Sequence, residues 1–476
     1  MFNNLVWASL ATSLLVQPLS AGLIPVRRQS TSTTFKSTGN PILADGSVYS
    51  ADPAPLVVND TLYILSGRDE AGPNENGFVM NEWQIFEAKN PDPAGADWTL
   101  HRDVAQPNAF FSWAAEGTAY ASQIVQGPDG NPPQPPTPSQ LASPSLTALS
   151  VLVDNGRVYI YFGTFGYLKG YELETDMVTI KDSVVDIDSL TGFFEAPWLM
   201  KRNSTYYMLY AANNAGADSP CTPTSYHACH AYGTADSPHG PWTFQGVFVD
   251  IVSSTTSHPG VYQLSNGKWG LAYHTRDAEG GTHFRRSVAI DKITWDDSAF
   301  PPAINKMVQT KRAAAAAEPT RNIAPKAVTS SAGETPIQYW IKSINDGRVE
   351  EAPLPPDYWF SYNAEQSPEM STLTLTWNST VEINGVALAL FADQEAGANV
   401  GVAPPKSWTV EYQDGTAWKA VSATSFPTDV SDAPKEVSFT TVSTKALRAV
   451  LTASGSGGQF AGVAIKESFA YAPTAA

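Results

Sequence analysis

Four stretches of this chain repeat one plan, a polar tight turn followed by an alternating strand rich in Tyr or Trp. They read NDTLYILSG (59–67), DNGRVYIYFG (154–163), RNSTYYMLYA (202–211) and SNGKWGLAYH (265–274). A turn feeding a period-two strand is a β-hairpin with one face buried. Recurrence at roughly 45–65 residues is the spacing of propeller blades. Frequent turn formers, 34 Gly and 36 Pro, fit an all-β chain of many short strands.

The register is sharper than the similarity. Asp52 precedes Tyr63 by 11, Glu195 precedes Tyr206 by 11, and His258 precedes Trp269 by 11. Each opens a strand beside a proline: Asp52-Pro53, Glu195-Ala196-Pro197 and His258-Pro259. Polar residues at strand edges before prolines are ordinary in themselves. The shared offset, however, predicts that all three begin inner strands and converge on one axial cavity. Two carboxylates in one cavity suit glycosidic bond cleavage, in which one is protonated and the other ionised.

The net charge of −17 argues against nucleic acid or an anionic membrane as partner. An acidic chain with 13 Trp, 19 Tyr and 20 Phe suits an uncharged ligand with hydroxyls and apolar ring faces, such as a sugar. At the N-terminus, Leu5 to Val16 is a short apolar run and Pro18 to Ala21 offers small residues for cleavage, so 1–21 reads as a signal peptide. Residues 22–38 read as a propiece or N-terminal extension, with Arg27-Arg28 a dibasic processing site. The mature chain is expected to be secreted, glycosylated at Asn59, Asn203 and Asn378, and monomeric. The cysteines, Cys221 and Cys229, are expected to form a disulfide in an oxidising compartment, although His227 and His230 beside them would also allow a metal site.

The segments SADPAPLVVNDTLYILSG, FFEAPWLMKRNSTYYMLYA and HPGVYQLSNGKWGLAYH resemble those of glycoside hydrolase family 43. This resemblance extends from about residue 40 to 310 and includes GTADSPHGPWTFQG (233–246) and HFRRSVAIDKITWD (283–296). It implies a five-bladed β-propeller over 39–310, active on arabinose- and xylose-containing plant polysaccharides by inversion. Asp52 then corresponds to the general base and Glu195 to the general acid. His258 corresponds to the histidine of the axial pocket, which orients substrate or approaches a water-coordinated ion. Arg285, in preference to Arg286, corresponds to a sugar-binding arginine. Trp113 and Tyr120 correspond to blade-two residues lining the sugar site. No cofactor is implied as required, and the only ion implied is a structural calcium near His258.

Two features depart from the family pattern. A third carboxylate, an Asp that tunes the acid, should open blade three, but counting back 11 from Tyr159 reaches Ala148. Blade two should hold three more strands after Gly130, yet NPPQPPTPSQLASPSLTALS occupies 131–150. Proline cannot donate to a ladder, so this run forms no regular sheet. Either a misplaced intron boundary has been translated, or the blade is truly degenerate. The chain as written is therefore expected to fold poorly or turn over slowly, and a non-catalytic, lectin-like propeller is the alternative.

Residues 311–325 (KRAAAAAEPTRNIAP) read as a linker, and 326–473 as a second β-rich unit with TLTLTW, VEINGVALALF and SWTVEYQDGTAWKAV. A β-sandwich jelly roll fits. INDGR, DYWF and TKALRAVL resemble discoidin or galactose-binding modules, which would make this unit a carbohydrate-binding module or a structural domain. Trp359 and Phe360 would be a sugar platform or, the better reading, core.

Overall fold

A computed structural model describes residues 31–474, except 73–74, 111–113, 126–148, 178, 213–219, 222–228, 254, 312–320, 333–340, 351–352, 354–356 and 362–366. The signal peptide, Trp113, Ala148 and most of the linker lie outside the described residues. The chain divides into two compact units, with a boundary after Ala313.

The first unit is a β-propeller assembled from up-and-down antiparallel sheets. Blade one comprises Ala51–Val58, Thr61–Asp69, Met80–Ala88 and Ala94–Ala105. Ser32–Thr38, in the stretch read as an N-terminal extension, pairs with Ala94–Ala105 and adds an outer strand. Blade three comprises Leu149–Asp154, Arg157–Thr164, Tyr167–Leu173 and Val185–Ile187. Blade four comprises Phe193–Arg202, Thr205–Ala212, Cys229–Ala235 and Thr243–Val249. Blade five comprises Gly260–Gln263, Trp269–Thr275 and Ser287–Ile293. Each quoted repeat is the turn and second strand of a blade.

The inner strands pack side by side around an axis: blade one against five, five against four, and four against three. Gly260 shows how closely. A Cβ there would stand 2.4 Å from Pro55 Cδ and 2.7 Å from the Pro53 carbonyl oxygen. Between blades four and five lies a shared core of Trp198, Tyr207, Leu209, Phe248, Leu271 and Tyr273. The disulfide Cys221–Cys229 is formed, the second cysteine opening a strand of blade four.

At the position of blade two, the four-residue helix Pro107–Phe110 is the one regular element among the described residues. The expected inner strand near Ala121–Val125 is not a strand. Instead 117–123 runs from blade one to blade three. The Met80 amide donates to the Gly117 carbonyl and the Ala119 amide to the Met80 carbonyl. Trp83 Nε1 donates to the Tyr120 carbonyl, and the Val151 amide to Gln123 Oε1. These bonds satisfy backbone groups that a blade would otherwise have to pair.

In the second unit, seven strands form one antiparallel sheet. Its long strands Met370–Phe391 and Val437–Thr452 break register near Thr376/Val381 and Ile383/Gly385, and such bulges bend a sheet around its own core. That core holds Trp359, Leu373, Trp377, Leu390, Trp408 and Ile465. Trp359 and Phe360 are buried, so neither offers a platform.

Leu209 is fully buried between blades four and five. Leu209→Ala should lower unfolding free energy by about 2–5 kcal/mol in denaturant melts.

Candidate active site

Aligning the two-residue hairpins of blades one and four shifts the sequence register. Val58 pairs with Thr61 and Arg202 with Thr205, so Tyr63 corresponds to Tyr207, not Tyr206. Asp52 therefore corresponds to Ala196, and Glu195 to Ala51. Asp52 and Ala196 have the same left-handed φ, 55°. The ladder breaks at this point in both blades, between Ala51 and Ala54 and between Glu195 and Trp198. The Tyr206-Tyr207 doublet made the common offset of 11 look like equivalence. The carboxylates stand one position apart, on strands whose bulges re-aim side chains.

They nevertheless share one electrostatic neighbourhood. Burial pushes the Glu195 carboxyl up to about 7; the charge of Asp52 adds to this, and Arg286 opposes it. Asp52 Oδ1 accepts from Arg286 Nη1 at 3.1 Å. Arg286 is itself fixed by the buried Asp69: Nε donates to Oδ2 at 2.9 Å, Nη2 to Oδ1 at 3.0 Å, and its amide to Oδ2 at 2.8 Å. Its Nη1 also reaches Thr256 Oγ1 at 3.1 Å, and its guanidinium lies 4.5 Å from the Phe78 ring centre. Burial disfavours charge on Arg286, but Asp52 and Asp69 more than offset it, and its pKa is raised.

Two buried histidines flank Asp52. The Asp52 amide donates to His274 Nδ1 at 3.1 Å, while His274 Nε2 lies 2.9 Å from the Thr256 carbonyl. That pattern fixes the neutral tautomer with the proton on Nε2. Burial, then Arg286, holds its pKa well below the usual value. His258 Nδ1 lies 3.8 Å from Asp52 Oδ1, and burial lowers its pKa against the pull of Asp52. Neither histidine carries charge near neutrality.

The structure thus gathers Asp52, Glu195 and His258, with Tyr120 close enough for its hydroxyl to respond to Arg286 and Asp52. It reverses the choice of arginine. Arg285 turns away, donating from Nε to the Ala71 carbonyl at 2.6 Å and lying over Tyr49, whereas Arg286 faces the carboxylates. Two further site residues, Asp69 and His274, lie at or next to the C-terminal ends of the second strands of blades one and five.

Near His258, where a structural calcium is expected, Asp52 Oδ1 already accepts from Arg286 Nη1. A group with metal-ligand spacing occurs elsewhere, at Glu172, Asp182 and His239. There Arg157 and Lys181 already neutralise Glu172.

Comparison with known proteins gives a family match over part of the chain. Residues 140–301, about a third of the chain, match the family model described as glycosyl hydrolases family 43. The comparisons support family 43. The matched stretch includes Glu195, His258 and Arg286, but not Asp52. A β-D-galactofuranosidase of Aspergillus niger is 30% identical over 151 residues, covering 30% of this chain and 41% of that protein. A xylosidase/arabinosidase 43A of Humicola insolens is 25% identical over 328 residues, covering 52% of this chain and 95% of that one. The chain spans less than half the length of the first three curated relatives it matches. Among solved structures, a β-xylosidase/α-arabinofuranosidase from a compost metagenome, in complex with xylotriose, has a TM-score of 0.46 at 19% identity, covering 58% of this chain and 98% of that one.

Removing Arg286 would leave Asp69 buried without its partner. Arg286→Met should cost about 3–5 kcal/mol in urea melts, and adding Asp69→Asn should recover much of that loss. Glu195 binds its proton more tightly folded, at about 7, than unfolded, at 4.5. Stability should therefore fall as pH rises between those values. Glu195→Gln should be the more stable protein at pH 8, by up to about 3 kcal/mol, with the difference vanishing near pH 4 in the same melts.

Proposed function

We propose that the chain is a secreted glycoside hydrolase that cleaves arabinofuranosyl or xylosyl linkages of plant cell-wall polysaccharide with inversion. The observation that carries this is a carboxyl raised to about 7, Glu195, beside a second carboxylate, Asp52, held by a fixed guanidinium. Divergent environments for two carboxyl groups assign acid and base. Asp52 takes a proton from a water whose oxygen bonds to the anomeric carbon. Glu195 gives its proton to the leaving glycosidic oxygen as that C–O bond breaks, and the sum is addition of water. His258 and Tyr120 line the sugar. Arg286, by holding Asp52, orients the base toward the water. No step uses a metal ion or cofactor.

The substrate class rests on the relatives' names, xylosidase/arabinosidase and galactofuranosidase. Secretion is supported by the apolar N-terminus, by the disulfide, and by exposed sequon asparagines Asn59, Asn203 and Asn378. In this reading the C-terminal unit is a discoidin-like module that raises local substrate concentration, and the protein works as a monomer.

The second reading, a non-catalytic sugar-binding propeller, is favoured by Ala148, where the acid-tuning Asp is expected, and by blade two, in which no strand occurs among the described residues. Aryl arabinofuranosides and xylosides decide between the readings. A hydrolase should show turnover that falls about 10²–10⁴-fold in Asp52→Asn and in Glu195→Gln, and its kcat/KM should decline as pH rises through about 7. Retained sugar affinity with no turnover in the parent chain would favour the binding protein.

A further inference from the structure

Beside Glu195 stands a group of aromatic side chains that the mechanism does not use. Thr164, at the end of a blade-three strand, pairs across the ladder with Glu195. The next residues, Phe165 and Gly166, form the two-residue turn of the hairpin closed by Tyr167. Phe165 is 62% exposed and Tyr167 is 74% exposed. Phe194, which immediately precedes Glu195, meets Phe165 edge to face at 5.0 Å between ring centres. Phe165 and Phe194 thus pair next to Glu195 in the chain, and the exposed Tyr167 closes the same turn.

The backbone makes the exposure harder to dismiss. Phe165 has φ 51° and Gly166 φ 86°, the left-handed pair of a type I′ turn. Asn or Asp followed by Gly is the favoured pair there, and a bulky residue at positive φ is a true outlier. A solvent-facing Phe in that position is strained and buries little in return. Such strain persists at functional sites.

We propose that Phe165, with Tyr167 and Phe194, is a stacking platform for the sugar on the leaving-group side of the scissile bond. This rests on the reading of Glu195 as the acid. The leaving oxygen takes the Glu195 proton, so the groups flanking Glu195 lie beside the departing sugar. Apolar ring faces of that sugar match exposed aromatic faces. The platform makes the enzyme prefer oligosaccharides or polymer over glycosides with a small leaving group.

The test compares the parent chain, Phe165→Ala and Phe165→Asn on methyl glycosides and on xylo- and arabinoxylo-oligosaccharides. The ratio of kcat/KM on the oligosaccharide to that on the methyl glycoside should fall roughly tenfold in both variants. Phe165→Asn should also melt about 2–4 °C higher, because Asn accepts the left-handed turn. An unchanged ratio in either variant overturns the platform. If the parent chain hydrolyses none of these sugars, the hydrolase reading fails by itself. The platform is then judged by calorimetric binding of xylohexaose: a tenfold weaker Kd in Phe165→Ala upholds it, and less than a twofold change overturns it.

Discussion

The site depends on one buried pair, Asp69 and Arg286. Asp69 takes two guanidinium donors and the Arg286 amide, which leaves Nη1 as the end directed at Asp52. Asp69 closes the second strand of blade one, and Arg286 immediately precedes a strand of blade five. The pair therefore ties two blades together at the axis as it fixes the charge beside Asp52. That charge acts in two directions. It holds Asp52 in place, and it tempers the rise that burial gives Glu195.

Much of the fold was legible because hairpins announce themselves locally. The turn residues at 59–60, 155–156 and 203–204, each before a Tyr-rich strand, placed the blades and their strands. The carboxylates were legible because each lies near a strand's start, with a proline following at once or after one residue. Their exact equivalence was not, because the doublet Tyr206-Tyr207 offers two counts and only the ladder chooses between them. Neighbouring arginines posed a similar problem. Arg285 and Arg286 lie just before the strand Ser287–Ile293 and turn to different partners, the Ala71 carbonyl and Asp52, and the sequence does not say which of them faces the axis. Asp69 escaped notice because its role exists only through a residue more than two hundred positions away.

At the position of blade two, the described residues 117–123 link blade one to blade three. The extended run 117–123 bonds to Met80 on one side and, through Gln123, to Val151 on the other. Ala121 packs against Ala196 and Ala211 of blade four, so this run also reaches toward the axis. A single strand's length of chain thus supplies part of what a sheet would have provided. It also carries Tyr120 to the carboxylates.

The added strand Ser32–Thr38 bears on maturation. It covers the outer edge of blade one by pairing with Ala94–Ala105. Cleavage after Ala21 or at Arg27-Arg28 would leave it whole. Trimming as far as residue 38 would bare a row of unpaired amides and carbonyls, the kind of edge that recruits strands from other chains. The N-terminus can therefore be shortened only to about residue 31 before processing turns a closed blade into a template for aggregation.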